Sequence, residues 1–458
     1  MNLHRYRQQP AMARLLCFLC LGVSLLGASI SSASDARILP MGERAVVIDR
    51  WLEHRVQTVL PDIMRRSGID LWVLVSREYN EDPVLRTFLP STWQSARRRT
   101  ILLIHDRGED QPLETLAIAR YGVGDTFKQA WDKEQDGEQW QHLARLIEER
   151  DPKAIGINRS ETFALADGLV ATEDELLREA LPPRLRQRLV SAEDLAVGWL
   201  ETRSALEMEV YPQICRIAHD IIAEGLSESV IQPGVTTTRD VSWWYRDRIR
   251  GLGLNAWFHP SVSLQRAAAP VKDMKNAVSS MHDDLVIRPG DLLHVDFGIT
   301  YLRLNTDTQQ HAYVLRAGET TAPEGLRRAL ASGNRLQDIL TENFASGRTG
   351  NEVLASSLAQ AKDEGITPSI YSHPIGYHGH GAGPAIGMWD QQDGVPGTGD
   401  YPLYPNTAYS IELYAESEVP EWNKTVRIML EEDAFFTGES VYYIDGRQTE
   451  LLLIPRQP

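Results

Sequence analysis

Four acidic residues stand where buried strands should be apolar. Asp296 interrupts His294-Val295-Asp296-Phe297-Gly298, and Asp307 follows 11 residues later in Asn305-Thr306-Asp307-Thr308. Glu412 sits inside Tyr409-Ser410-Ile411-Glu412-Leu413, and Glu431 inside Ile428-Met429-Leu430-Glu431-Glu432. A carboxylate on a core strand is costly unless it is paired or bound to a cation. Four that converge cannot all stay ionised without compensating positive charge, which a divalent metal pair would supply. Between the two pairs lies Ser372-His373-Pro374-Ile375-Gly376-Tyr377-His378-Gly379-His380-Gly381, with three histidines in eight residues and glycines that permit close backbone approach. Histidine is the commonest metal ligand and a general acid or base near neutral pH. Four carboxylates and an imidazole make an oxygen-rich site, unlike the Cys/His shells of structural zinc. Such donors suit Mn(II) best, with Co, Fe or Zn as alternatives.

The elements that must hold these residues fall into two regions. From residue 41 to 199, helical and strand periods alternate. Glu43 to Arg66 reads as helix with Gly68 as its stop, Leu71–Ser76, Thr100–His105, Leu116–Tyr121 and Ala154–Asn158 as short buried strands, and Gln139–Arg150 as a further helix. That alternation predicts a compact α/β domain with a parallel or mixed sheet. Arg97-Arg98-Arg99 beside one strand reads as a solvated face. From residue 200 the pattern changes. Two amphipathic helices, Ala205–Glu228 (interrupted near Pro212) and Thr236–Gly251, precede strand-like runs at Leu292–Phe297 and His311–Leu315. Helices over Glu324–Phe344 and Asn351–Gly365 follow, then strands at Ala408–Leu413, Val426–Phe436 and Val441–Ile444, an α+β arrangement.

Taken together, the acids and the histidine loop resemble the creatinase/aminopeptidase (M24, pita-bread) metallopeptidase family, and within it the Xaa-Pro aminopeptidases and prolidases. The approach Pro289-Gly290-Asp291-Leu292-Leu293-His294-Val295-Asp296, the 11-residue step to Asp307 and the seven-residue step from His373 to His380 carry the resemblance. It implies an α+β pita-bread catalytic domain over residues 200–458, preceded by a smaller creatinase-type α/β domain over 35–199. It also implies two divalent ions, bridged by Asp307 and Glu431, with Asp296 on one and His373 with Glu412 on the other. Glu412 would accept the proton of the attacking water, and His380 would hydrogen-bond the tetrahedral intermediate or the leaving group. The implied reaction is hydrolysis of Xaa-Pro bonds at the amino terminus of a proline-containing peptide, with Trp257, Tyr377 or Trp389 as candidate walls for the ring. The resemblance also implies a homodimer.

His380 competes with His373 for the ligand position, because Gly379-His380-Gly381 also looks like the family's Gly-His-Gly; the seven-residue step favours His373. Glu431 is taken over Glu432 because it stands six residues before Thr437. The family's arginine two residues before that glutamate is displaced here to Arg427. Its usual histidine upstream of the first aspartate is missing from the zone of Val278, Ser279 and Ser280, leaving His259 or His282 as substitutes. Two other functions therefore stand beside the peptidase: a metal-free creatinase-like amidinohydrolase, and an inactive pita-bread scaffold used for binding.

The 458 residues hold 47 basic and 63 acidic side chains, a net charge of −16 that repels a phosphate backbone and excludes nucleic acid as a partner. No motif points to a nucleotide, flavin or haem. The first 34 residues lack acids and carry Arg5, Arg7 and Arg14 ahead of the apolar run Leu15–Ile30 and the small residues Ser31-Ser32-Ala33-Ser34. This reads as a signal peptide over residues 1–33, followed by periplasmic or secreted localisation. The run of 16 residues is below the ~20 that span a bilayer, so no stable membrane insertion is expected. Removing the leader leaves Cys215 as the only cysteine, which excludes an intrachain disulfide and reads as a buried, inert thiol.

Overall fold

The computed structural model describes residues 38–269 and 283–457. The leader, Val278, Ser279, Ser280 and His282 lie outside the described residues. No helix among the described residues is long and apolar enough to cross a membrane.

The first region opens with helices Met41–Thr58 and Leu60–Ser67. Gly68 closes the second in the left-handed conformation, φ 67°, its N–H returning to Met64 and Arg65 carbonyls. A six-stranded mixed sheet follows, in the order Lys128–Gln129, Glu114–Ile118, Arg99–His105, Leu71–Arg77, Ile155–Ile157, Leu189–Ser191. The central strand Leu71–Arg77 runs antiparallel to Arg99–His105 and parallel to Ile155–Ile157. It is buried on both faces, which explains its unbroken apolar sequence. Trp72 and Leu74 pack under the opening helices, while Val73 and Val75 pack against Leu143, Ile147 and Leu177 on the other face. Arg98 pairs with Glu78 and Arg99 with Glu173, while Arg97 lies over the Trp93 ring, so the arginine run serves the surface of this sheet.

The junction with the second region is polar and buried. Arg55, fully buried, donates to Glu207 Oε2 at 2.7 Å, and Arg203 donates to Glu207 Oε1 at 3.1 Å. Glu207 also closes a capping box with Ser204 that starts the helical turn Ala205–Met208. Pro212 then enters the first turn of a new helix, Tyr211–Gly225, where its missing N–H costs nothing. The two guanidiniums flank the Tyr377 ring, 5.1 and 4.8 Å from its centre. Tyr377 thus anchors the histidine loop to this junction. Trp389 is among the exposed large side chains.

Two cores build the second region. Helices Tyr211–Gly225 and Thr238–Gly251 pack Ile214, Ile217, Ile221, Val241 and Tyr245 against Val295 and Phe297 of a four-stranded sheet. Its order is Leu452–Ile454, Thr308–Val314, Leu292–Phe297, Ser261–Gln265. Helices Glu324–Glu342 and Gly350–Asp363 pack Leu326, Leu330, Leu340 and Leu354 against Leu413, Ile428 and Leu430. Those three belong to a sheet of Thr367–Ile370, Leu413–Val419 and Lys424–Leu430. A further sheet orders His373–Pro374, Thr407–Ser410, Asp433–Phe436 and Val441–Tyr443.

Two expected strands are each divided. Ala408–Leu413 breaks at Ile411 and Glu412, where the chain leaves the sheet of Thr407–Ser410 for that of Leu413–Val419. Val426–Phe436 breaks at Glu431 and Glu432, where the chain crosses back. The corrected position has a physical reason: at a sheet-switching corner the side chain leaves the regular in-and-out alternation, so a carboxylate can turn toward a shared centre.

Candidate metal centre

Asp296 lies in the strand Leu292–Phe297, and Asp307 in the two-residue break between Leu304–Asn305 and Thr308–Val314. His373 occupies the two-residue strand His373–Pro374, paired with Ser410 and Tyr409. With the two sheet-switching glutamates, these elements bring five side chains to one place. Ligand atoms of Asp296, Asp307 and Glu431 lie within 4.8 Å of one another, as do those of His373, Glu412 and Glu431. A third such group is Asp307, His373 and His380. Asp307, His373 and Glu431 therefore each occur in two groups, and the exposed His380 occurs in one.

The donor set fits divalent ions on an observation of its own. His373 Nδ1–H points to the Pro374 carbonyl at 3.1 Å, which leaves Nε2 as a bare lone pair. That nitrogen is 3.9 Å from Asp307 Oδ2 and 3.8 Å from Glu431 Oε1, and it has no hydrogen-bond partner. Asp307 Oδ1 is likewise buried without a partner. Burial, then Glu431, pushes Asp296 well above the ordinary carboxylate range. Burial, then Glu431, Asp296 and Glu412, does the same to Asp307, and burial, then Glu431 and Asp296, to Glu412. Burial raises Glu431 to about 7 against donors from Ser410 and Gln309. Burial, then His380, drives His373 down to about 3, so its imidazole is neutral and able to ligate. Acids that repel and a neutral imidazole that needs a partner are together relieved by cations.

Around this centre the histidine loop is held by close backbone approach. A side chain at Gly379 would meet the Trp257 ring at 2.4 Å, and one at Gly376 would meet the Arg203 guanidinium at 2.8 Å. Trp257 donates to the Thr306 carbonyl at 2.9 Å and sets its ring edge-on to His380, 5.3 Å between centres. Tyr371, which sequence reasoning passed over, lies 5.5 Å from His373 and 6.0 Å from His380, closing a wall of rings. His259 contacts Trp243 and Arg246 on the helix Thr238–Gly251. Arg427 pairs with Glu416 at 3.0 Å and lies over Tyr414. Cys215 is buried, its thiol pushed well up by burial and by Asp433, to which it donates.

Glu432 faces away, into a network behind the centre. His219 has Nε2 2.7 Å from Glu432 and Nδ1 2.8 Å from Asp445, and Gln310 and the Gln448 N–H donate to the other Glu432 oxygen. Burial opposes charge on His219, yet the two carboxylates outweigh it and hold its pKa up to about 10. Since the folded-state value lies above the unfolded ~6.5, the stabilisation is complete below pH ~6.5 and lost as pH rises through about 10. His219→Gln is therefore expected to lose on the order of 2–4 kcal/mol at pH 6 and progressively less toward pH 10, read by urea denaturation at several pH values. A gap that does not change with pH would contradict the charged pairing.

Residues 212–436 match the model of metallopeptidase family M24. The C-terminal region belongs to that family. Among solved structures, the chain is similar to an X-Pro aminopeptidase from Thermotoga maritima, at 17% identity and a TM-score of 0.59, covering 86% of this chain and 99% of that one. It is also similar to an Xaa-Pro dipeptidase from Bacillus anthracis, at 17% identity and a TM-score of 0.55, covering 90% and 100%. The N-terminal domain of the FACT complex subunit SPT16 from Cicer arietinum aligns at 12% identity and a TM-score of 0.51, covering 91% and 99%. No curated protein matches in sequence. At these identities the likeness is one of fold: a pita-bread M24 domain with an α/β region in front of it.

Proposed function

We propose that this M24 protein is a dinuclear metal exopeptidase that hydrolyses Xaa-Pro bonds at the amino terminus of peptides. The carrying observation is the convergence of Asp296, Asp307 and Glu431 in one group and of Glu412, Glu431 and His373, whose Nε2 is unpartnered, in another. These five side chains would hold two divalent ions, Mn(II) first, which when bound supply the Lewis acidity that activates water and polarises a carbonyl. The chain's own residues do the rest. Glu412, with one oxygen engaged by Gln309, keeps the other to receive the proton of the attacking water. His380 is exposed at the rim, and its ring, whose pKa desolvation lowers, can as a neutral imidazole hydrogen-bond the tetrahedral intermediate or the leaving nitrogen. Trp257 and Tyr371 give the rim an apolar surface. A proline ring is recognised there by shape, since its amide nitrogen has no hydrogen to donate. Export and dimerisation belong to the same reading.

One experiment tests it. Protein recovered from the periplasmic fraction is stripped of metal, resupplied with Mn(II), and offered Xaa-Pro dipeptides, Xaa-Pro tripeptides and longer peptides beside Xaa-Ala controls. Cleavage that needs both metal and proline is expected, with the preferred length separating aminopeptidase from dipeptidase. Metal-independent release of urea from creatine would favour the amidinohydrolase, and binding of peptides without turnover the inactive scaffold. A protein found only in the cytoplasm would overturn export.

A further inference from the structure

We propose that Gln309, held by His294, is a positioning residue that sets Glu412 and Glu431 at a fixed spacing for the metal pair, an inference that rests on the metal reading above. Its main chain is fixed from both sides. Gln309 pairs with Asp296 across the sheet, and its N–H donates to the Glu431 carbonyl at 2.9 Å. The side chain is buried, and its Nε2 donates to Glu412 Oε1 at 2.9 Å and to Glu431 Oε2 at 2.7 Å. Carboxylates only accept, so the NH2 end must face the two acids and Oε1 must face away. That oxygen lies 2.8 Å from His294 Nε2, which therefore carries the proton and donates.

His294 is itself locked. Its Nδ1 faces Ser263 Oγ at 3.4 Å, and its ring lies 5.2 Å from that of its cross-strand partner His311. His311 Nδ1 donates to the Leu293 carbonyl and its Nε2 accepts the Met429 N–H, both at 3.0 Å. The hydrogens of His294 and Gln309 thus have one direction, from His294 to Gln309 and from Gln309 to two glutamates that come from different sheet-switching corners. No other side chain among the described residues bonds both Glu412 and Glu431 in the contacts above. An amide that divides its two hydrogens between Glu412 Oε1 and Glu431 Oε2, whose partner oxygen Oε1 accepts from Ser410, fixes the separation of the two carboxylates.

The test compares Gln309→Leu, which removes both donors at similar size, with His294→Phe and His294→Gln. Gln309→Leu is expected to melt like wild type without metal and to bind Mn(II) roughly 10–100-fold more weakly in competition with a chelating indicator. The electron paramagnetic resonance signature of the Mn(II) pair should change, and kcat should fall with KM held to within about twofold. His294→Phe should follow it in weaker form, and His294→Gln, which can still donate to Gln309, should restore affinity and spectrum. If Gln309→Leu does not fold, the two His294 variants carry the same comparison. Unchanged Mn(II) affinity and spectrum in a folded Gln309→Leu or His294→Phe would overturn the proposal. A wild-type protein that takes up no divalent ion overturns the metal reading itself, and this inference with it.

Discussion

Replacing Asp307 with asparagine is expected to abolish metal-dependent activity while leaving the metal-free protein as stable as wild type or more so. The two halves of that expectation have one cause. Asp307 lies close to Asp296 and Glu431 in one ligand group and to His373 and His380 in another, and one of its oxygens is buried without a partner. Without ions its charge is a liability, since burial and the neighbouring carboxylates of Glu431, Asp296, Glu412 and Asp433 push its pKa far up. Removing that charge relieves repulsion in the metal-free protein. With ions, the same change takes away one of the proposed ligands. Several kcal/mol of transition-state stabilisation attributable to a metal corresponds to a loss of roughly a thousandfold or more in kcat. Added Mn(II) should stabilise wild type by about 2.7 kcal/mol at a hundred times its dissociation constant, and the variant by much less. Thermal melts with and without Mn(II), beside metal analysis, read both halves. A variant destabilised equally in the two conditions would make Asp307 structural, and one with retained occupancy and turnover would remove it from the site.

What the sequence made legible follows the range of the interactions involved. The strand Leu292–Phe297 and the helix Gln139–Arg150 fall where periodicity puts them, because a local apolar pattern is sufficient to specify each. Gly68 ends its helix for an equally local reason, a left-handed backbone that glycine adopts freely. The breaks at Glu412 and Glu431 are different. Tyr409 to Leu413 alternates like a single strand, and only the partners show that Ser410 pairs with His373 while Leu413 pairs with Ile370 and Leu430. Those partners are distant in sequence, so no local pattern could reveal the corner. Gln309 escaped notice for the same reason. A glutamine in a strand carries no signal, and its contacts are with residues 103 and 122 positions away. Its place two residues after Asp307 was the one available hint. Tyr377 is equally non-local, an aromatic in the candidate loop whose ring lies against Arg55 and Arg203 at the junction between regions.

His373 and His380 should fail in different ways, and the geometry makes the comparison demanding because both imidazoles reach the same carboxylate. Each belongs to the group formed with Asp307, and their rings are 4.7 Å apart. Proximity therefore does not separate them; orientation and exposure do. His373 is buried, its Nδ1–H is committed to Pro374, and its Nε2 meets Asp307 and Glu431 at 3.9 and 3.8 Å with nothing else to bond. His380 is exposed and packs against Trp257 and Tyr371. His373→Ala is expected to lose one ion per chain and most activity, since no neighbouring nitrogen occupies its position. His380→Ala is expected to keep both ions and to lose turnover by roughly a hundredfold or more, with KM little changed, because its hydrogen bond forms to the reacting group. Metal content and kinetics on an Xaa-Pro peptide, measured on the same preparations, distinguish the two. If His380→Ala releases the ion and His373→Ala retains it, the seven-residue register is displaced: His380 becomes the ligand, and the rim loses its candidate for stabilising the intermediate.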